Sequence, residues 1–101
     1  MFDKAKQLYQ LQKKAKEVQK ELKNTEVEAQ SSDGAVIAVF TADQKIKSIE
    51  ISQDALNPEN KRELEDKITR VISEGISRAQ AVAAEKTKGL MGEMGLNLPG
   101  M

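Results

Sequence analysis

Seven lysines crowd residues 1–24, and five of them fall into a row at helical spacing. Lys6, Lys13 and Lys20 recur every seven residues, and Lys16 and Lys23 fill the gaps. Ammonium groups in such a row do not make or break bonds; they gather a polyanion. A phosphate chain neutralised by lysines releases its counterions, and this attraction does not depend on sequence. Lysine is a point charge, whereas the arginine fork reads base edges bidentately, so a lysine row favours backbone contact. Tyr9 lies one helical turn from both Lys6 and Lys13, and its hydroxyl could bond a phosphate or its ring could pack. Lys86 and Lys88 form a smaller basic pair near the end of a second helix.

The charge is one-sided. Residues 1–24 carry seven lysines against Asp3, Glu17 and Glu21, a balance of +4. The rest of the chain carries nine basic against thirteen acidic side chains, a balance of −4, so a neutral total hides a basic arm on an acidic body. The same row can also be read as an ordinary solvated helix face with i,i+4 support such as Lys13 with Glu17.

Other chemistry is poorly provided for. The 101 residues include no Cys and no His, which excludes a disulfide framework, a thiol nucleophile and a Cys/His zinc site. No G-x-G-x-x-G or Walker-type loop occurs. Glu26 and Glu28 share a strand face and read as solvated carboxylates. The expectation is a non-enzyme with no cofactor, no metal and no small-molecule substrate. The start lacks the apolar run of a secretion signal, and the longest apolar run, 35–40, is too short to span a bilayer, so a cytoplasmic protein with no membrane partner is expected.

The elements that must carry these lysines follow from periodicity. Leu8, Leu11, Ala15, Val18 and Leu22 alternate steps of three and four, the seam of a heptad helix over 2–24. The lysines fall away from that seam. Val27 and Ala29 alternate with polar residues, the first of three strands between residues 25 and 52. Ser31-Ser32-Asp33-Gly34 reads as a turn, 35–41 as a second strand, and 45–52 as a third, with Ile49 and Ile51 on one face and Ile46 on the other. The short connections predict an antiparallel meander. Asn57-Pro58 opens a second helix over 58–88, with a stripe of Leu64, Ile68, Val71, Ile72, Ile76, Ala79, Val82 and Ala83. The pairs Glu63–Lys67, Asp66–Arg70 and Glu74–Arg78 neutralise its cations. It should fray at Thr87 to Gly89, leaving a Gly/Met/Leu-rich tail over 89–101.

This is an α+β domain in one unit: long helix, three-stranded meander, long helix. Helices of about 35 and about 45 Å exceed strands of about 17–27 Å, so the start of the first and the end of the second should overhang the sheet. A first helix of about 35 Å is close to one turn of duplex DNA, whose pitch is about 34 Å. The second strand is apolar on both faces, with Val36, Ala38 and Phe40 on one and Ile37 and Val39 on the other. Such a strand expects cover on both sides, and a second copy of the chain supplies the missing layer most simply, a homodimer.

The ordered combination resembles the YbaB/EbfC family of bacterial nucleoid-associated proteins. The likeness includes Met1-Phe2, the Gln/Lys-rich first helix and Gly34 before the Val-rich strand. It continues through Ser48-Ile49-Glu50-Ile51, the corner Asp54-Ala55-Leu56, the acidic start of the second helix, and Leu98-Pro99-Gly100 in the tail. The resemblance implies a homodimer with helix pairs projecting like tweezers from a central body. It implies double-stranded DNA binding at the bacterial nucleoid, with a role in chromosome organisation or gene regulation. Carried over by element, the DNA-binding residues would be Lys6, Tyr9, Lys13, Lys16 and Lys20 on the first helix, with Lys86 and Lys88 on the second. The alternative from another class is a dimeric protein–protein adaptor that holds its partner with overhanging helices and the apolar stretch Leu90 to Met101. In a third reading that tail only folds back onto the dimer.

Overall fold

The computed structural model describes residues 2–93. Helix α1 spans Phe2–Lys23, strands β1, β2 and β3 span Glu26–Gln30, Val36–Thr41 and Ile46–Ile51, and helix α2 spans Lys61–Glu93. The α+β architecture and the meander are as expected: one antiparallel sheet in the order β1-β2-β3. The molecule is drawn out to 68 × 25 × 15 Å, with a radius of gyration of 18.9 Å, against about 13 Å for a compact chain of this length.

Local chemistry explains the joints. In the β1–β2 turn, the Ser31 hydroxyl donates to Asp33 Oδ1 at 2.7 Å, and the same oxygen accepts from the Ala35 amide at 3.0 Å. Gly34 completes the turn at φ 72°, the left-handed region that glycine enters without strain. The expected N-cap of the second helix forms as a short 3-10 turn, Pro58–Asn60, with Asn57 accepting from the Glu59 amide at 3.0 Å. Regular α-helix begins only at Lys61.

One face of the sheet carries the core. Ala29, Val36, Ala38, Phe40 and Val71 are buried together, with Leu64, Ile68 and Ile72 packed against them. Gly75 lies over Phe40, and a β-carbon there would stand 2.0 Å from the ring. The glycine is therefore a close-approach position that brings α2 down onto β2. Arg78 crosses the sheet edge and donates to the Glu28 carbonyl at 3.0 Å. Beyond Gln80, which donates to Gln44 at 3.3 Å, α2 leaves the sheet and runs beside α1.

Four expectations need correction. First, α2 does not fray at Thr87 to Gly89; it continues to Glu93, past the expected boundary at residue 88. Leu90 is only 8% exposed, in a hollow that Lys14, Glu17, Val18 and Glu21 of α1 also line, so contact between the helices outweighs the cost of Gly89 and Gly92. The remaining tail residues, 94–101, lie outside the described residues. Second, Ile46 does not oppose Ile49 and Ile51. A bulge at Lys47 puts Ile46 across from Phe40 while Ile49 stays across from Ala38, so the three isoleucines share register with the helix-covered face. Third, Ile76 is not buried with its stripe but is 37% exposed at the margin of α2. Fourth, the heptad seam of α1 is only half covered: Leu11, Val18 and Leu22 are half-buried, whereas Ala15 and Leu8 are exposed, Leu8 at 61%.

Candidate nucleic-acid interface

Helix α1 carries the lysine row as a continuous stripe. At about 100° per residue, Lys6, Tyr9, Lys13, Lys16, Lys20 and Lys23 fall within about 100° of arc. All six side chains are exposed, Tyr9 at 68%. Among the described residues none of these lysines has an ion-pair partner. The expected Lys13–Glu17 pair is replaced by Lys14–Glu17 at 3.5 Å, one position round the helix. This shift leaves Lys13 in the solvated row.

The two cations expected to contribute from the end of the second helix go separate ways. Lys86 is partly buried, and its Nζ lies 2.6 Å from Glu21 Oε1 of α1. That pair bridges the two helices on a flank of α1 away from the lysine stripe. Lys88 is exposed. The fold thus assembles the α1 residues into one surface and turns the Lys86 ammonium inward as a strut.

On the body, charge is largely consumed in structure. Lys67 contacts Asp33 at 2.6 Å and Glu63 at 3.4 Å, tying α2 to the β1–β2 turn. The hydrogen bonds from Lys67 and Ser31 hold the Asp33 carboxyl well below the usual carboxylate range, and the bond to Asp33 raises the Lys67 ammonium above its ordinary value. Arg78 meets Glu74 at 2.6 Å. The expected Asp66–Arg70 pair is not formed among the described residues. Nor, among those residues, do three His, Cys, Asp or Glu side chains gather as a metal site, and no helix is long and apolar enough to cross a membrane.

The architecture and the exposed basic helix can be compared with known proteins. The model of the YbaB/EbfC DNA-binding family matches residues 1–94. The chain belongs to the YbaB/EbfC family. Its relatives include a nucleoid-associated protein of Bradyrhizobium sp. (strain ORS 278), 40% identical over 91 residues that cover 90% of this chain and 86% of the relative. A nucleoid-associated protein of Ligilactobacillus salivarius is 32% identical, over 95% of this chain and 88% of its own. In fold, this YbaB/EbfC chain is similar to the crystal structure of the uncharacterised protein HP0035 from Helicobacter pylori. The TM-score is 0.68 at 20% identity, with 86% of this chain and 87% of the other covered.

One basic position within reach of sequence reasoning escaped the expected site. Lys23 continues the α1 row, and its heptad position was the signal. Lys45 could not have been found this way, because only the fold brings the β2–β3 turn to the foot of α1.

Proposed function

We propose that this chain is a nucleoid-associated protein that binds double-stranded DNA as a homodimer, mainly through phosphate contacts from its projecting helices. The observation that carries the reading is the exposed lysine stripe on α1, free of ion pairs among the described residues, on a chain of a DNA-binding family. From Lys6 to Lys23 the stripe runs about 26 Å along the helix axis, most of one duplex turn of about 34 Å. The relatives' names support a place at the nucleoid.

Self-association is favoured by what α2 leaves bare. It packs over β1 and β2. On the same side Ile46 and Ile49 of the edge strand β3 are 50% and 43% exposed, beside Ile76 of α2. An apolar edge of this kind, next to a helix that covers only two of three strands, fits an equivalent element of a second copy. The adaptor reading loses support from Leu90, which packs inside the chain rather than in a free apolar segment.

The test is a salt titration of duplex binding, with mass measured by light scattering. Binding should weaken by several orders of magnitude between about 50 and about 200 mM salt if up to about ten phosphates are neutralised per dimer. Reversal of Lys13, Lys16 and Lys20 to Glu should abolish it while the particle keeps twice the 11.1 kDa chain mass. Absence of a duplex shift at low salt, or binding indifferent to salt, overturns the DNA reading; a particle of single-chain mass overturns the dimer.

A further inference from the structure

The lysine stripe does not stop where α1 stops. At the foot of the helix a cleft of about 510 Å³ opens against the β2–β3 hairpin, and Lys23, Lys45 and Lys47 all line it. Three lysines face two carboxylates there, and among the described residues only one carboxylate is paired with a cation. Glu26 holds Lys47 at 3.2 Å, and Asp43 accepts a hydrogen bond from the Thr41 hydroxyl. Lys23 and Lys45 are exposed, and among the described residues neither has an ion-pair partner. Two carbonyls at the end of α1, where the helix dipole disfavours an anion, are already bonded. The Ala42 amide donates to the Leu22 carbonyl at 3.1 Å, and the Thr25 hydroxyl donates to the Glu21 carbonyl at 2.7 Å. The Ala42 bond also fixes the hairpin to the helix, so Lys23 and Lys45 are held in a set relation across two elements.

We infer that the foot cleft extends the phosphate-binding track of α1 onto the β2–β3 hairpin, with Lys23 and Lys45 each contacting a backbone phosphate of the duplex. This inference rests on the duplex-DNA reading above. It adds a contact from the sheet to a surface otherwise made of one helix. A rod lying along α1 would be gripped at its root as well as along its side. Lys47, neutralised by Glu26, is left out of the track.

The experiment compares the salt slope of duplex binding for the full chain and two double variants, K23Q/K45Q and K23R/K45R. Thermal midpoints serve as a check that all three are folded. Two lost phosphate contacts should make the slope of K23Q/K45Q shallower by about 1.8 per engaged subunit. Between 50 and 200 mM salt that variant should then lose about twelvefold less affinity than the wild type, per engaged subunit. K23R/K45R, which keeps the charge, should retain the wild-type slope. Superimposed slopes for wild type and K23Q/K45Q overturn the foot track and leave the DNA reading standing. A changed slope in K23R/K45R overturns it too, because charge is then not the cause. A wild type that binds no duplex at low salt overturns both.

Discussion

Helices α1 and α2 have similar densities of charge and opposite uses for it. In α2 the cations near the sheet are tied to carboxylates: Lys67 to Asp33 and Glu63, and Arg78 to Glu74. In α1 the row from Lys6 to Lys23 stands in water, and its main polar link to α2 comes from Glu21, an anion. The contrast separates charge that holds the fold together from charge available to a ligand. Surface ion pairs contribute little each, but they decide which cations remain to be shared.

The comparison can be broken from either side. The largest effect should come from the body. Gly75→Ala forces a β-carbon into the buried Phe40 ring, and the strain should cost about 1–3 kcal/mol even after helix propensity returns up to about 1 kcal/mol. A urea melt would show the loss, while any protein still folded should keep the wild-type salt slope for duplex DNA. If Gly75→Ala instead changed the slope without lowering stability, body and arm would not be separable.

Next comes Asp33→Asn, which dissolves the Lys67 tie. Asp33 titrates below its ordinary value of 3.8 when folded. Its stabilisation is therefore fully present above the unfolded pKa and is lost progressively as pH falls from there through the lower folded pKa. Lys67 is raised above 10.5, so its share holds below that value and is lost as pH rises through the folded pKa. Thermal midpoints of wild type and D33N should differ most near neutrality and begin to converge only as pH falls below about 4. A gap that widened on acidification would refute the pairing.

The smallest effect belongs to the strut. Lys86→Gln removes the 2.6 Å contact with Glu21, whose side chain is largely exposed, and should lower stability by no more than about 1 kcal/mol. Because the Lys86 ammonium is turned to α1, duplex affinity should fall far less than for a single change at Lys13 or Lys16. Equal losses at Lys86 and Lys13 would place the strut in the binding surface and erase the contrast between the two helices.

Much of this was legible before the fold. The helix of α1, the alternation in β1, the apolar run of β2 and the Asn57 cap were local patterns that the structure keeps, although the α1 seam is only half covered. The lysine stripe was legible for the same reason: a 3.6-residue repeat places side chains on a face whatever the tertiary context. What escaped was set by contacts between distant segments. The extra length of α2 depends on Leu90 meeting α1, which no propensity scale contains. The position of Ile46 depends on a bulge whose single extra residue, Lys47, leaves no mark on composition. Lys86 looked free because its partner, Glu21, lies 65 positions away.

The hydrogen bond from the Ala42 amide to the Leu22 carbonyl fixes α1 at its foot, and α2 braces its side as far as Lys14. An arm of about 33 Å converts a tilt of about 5° at the foot into about 3 Å at the tip. Duplex DNA presents one charge per about 1.7 Å of its axis, so that excursion spans nearly two charges. The aim of the lysines is thus set jointly by the buried Ala42 at the foot and by the α2 residues that brace the helix, all of them outside the stripe itself.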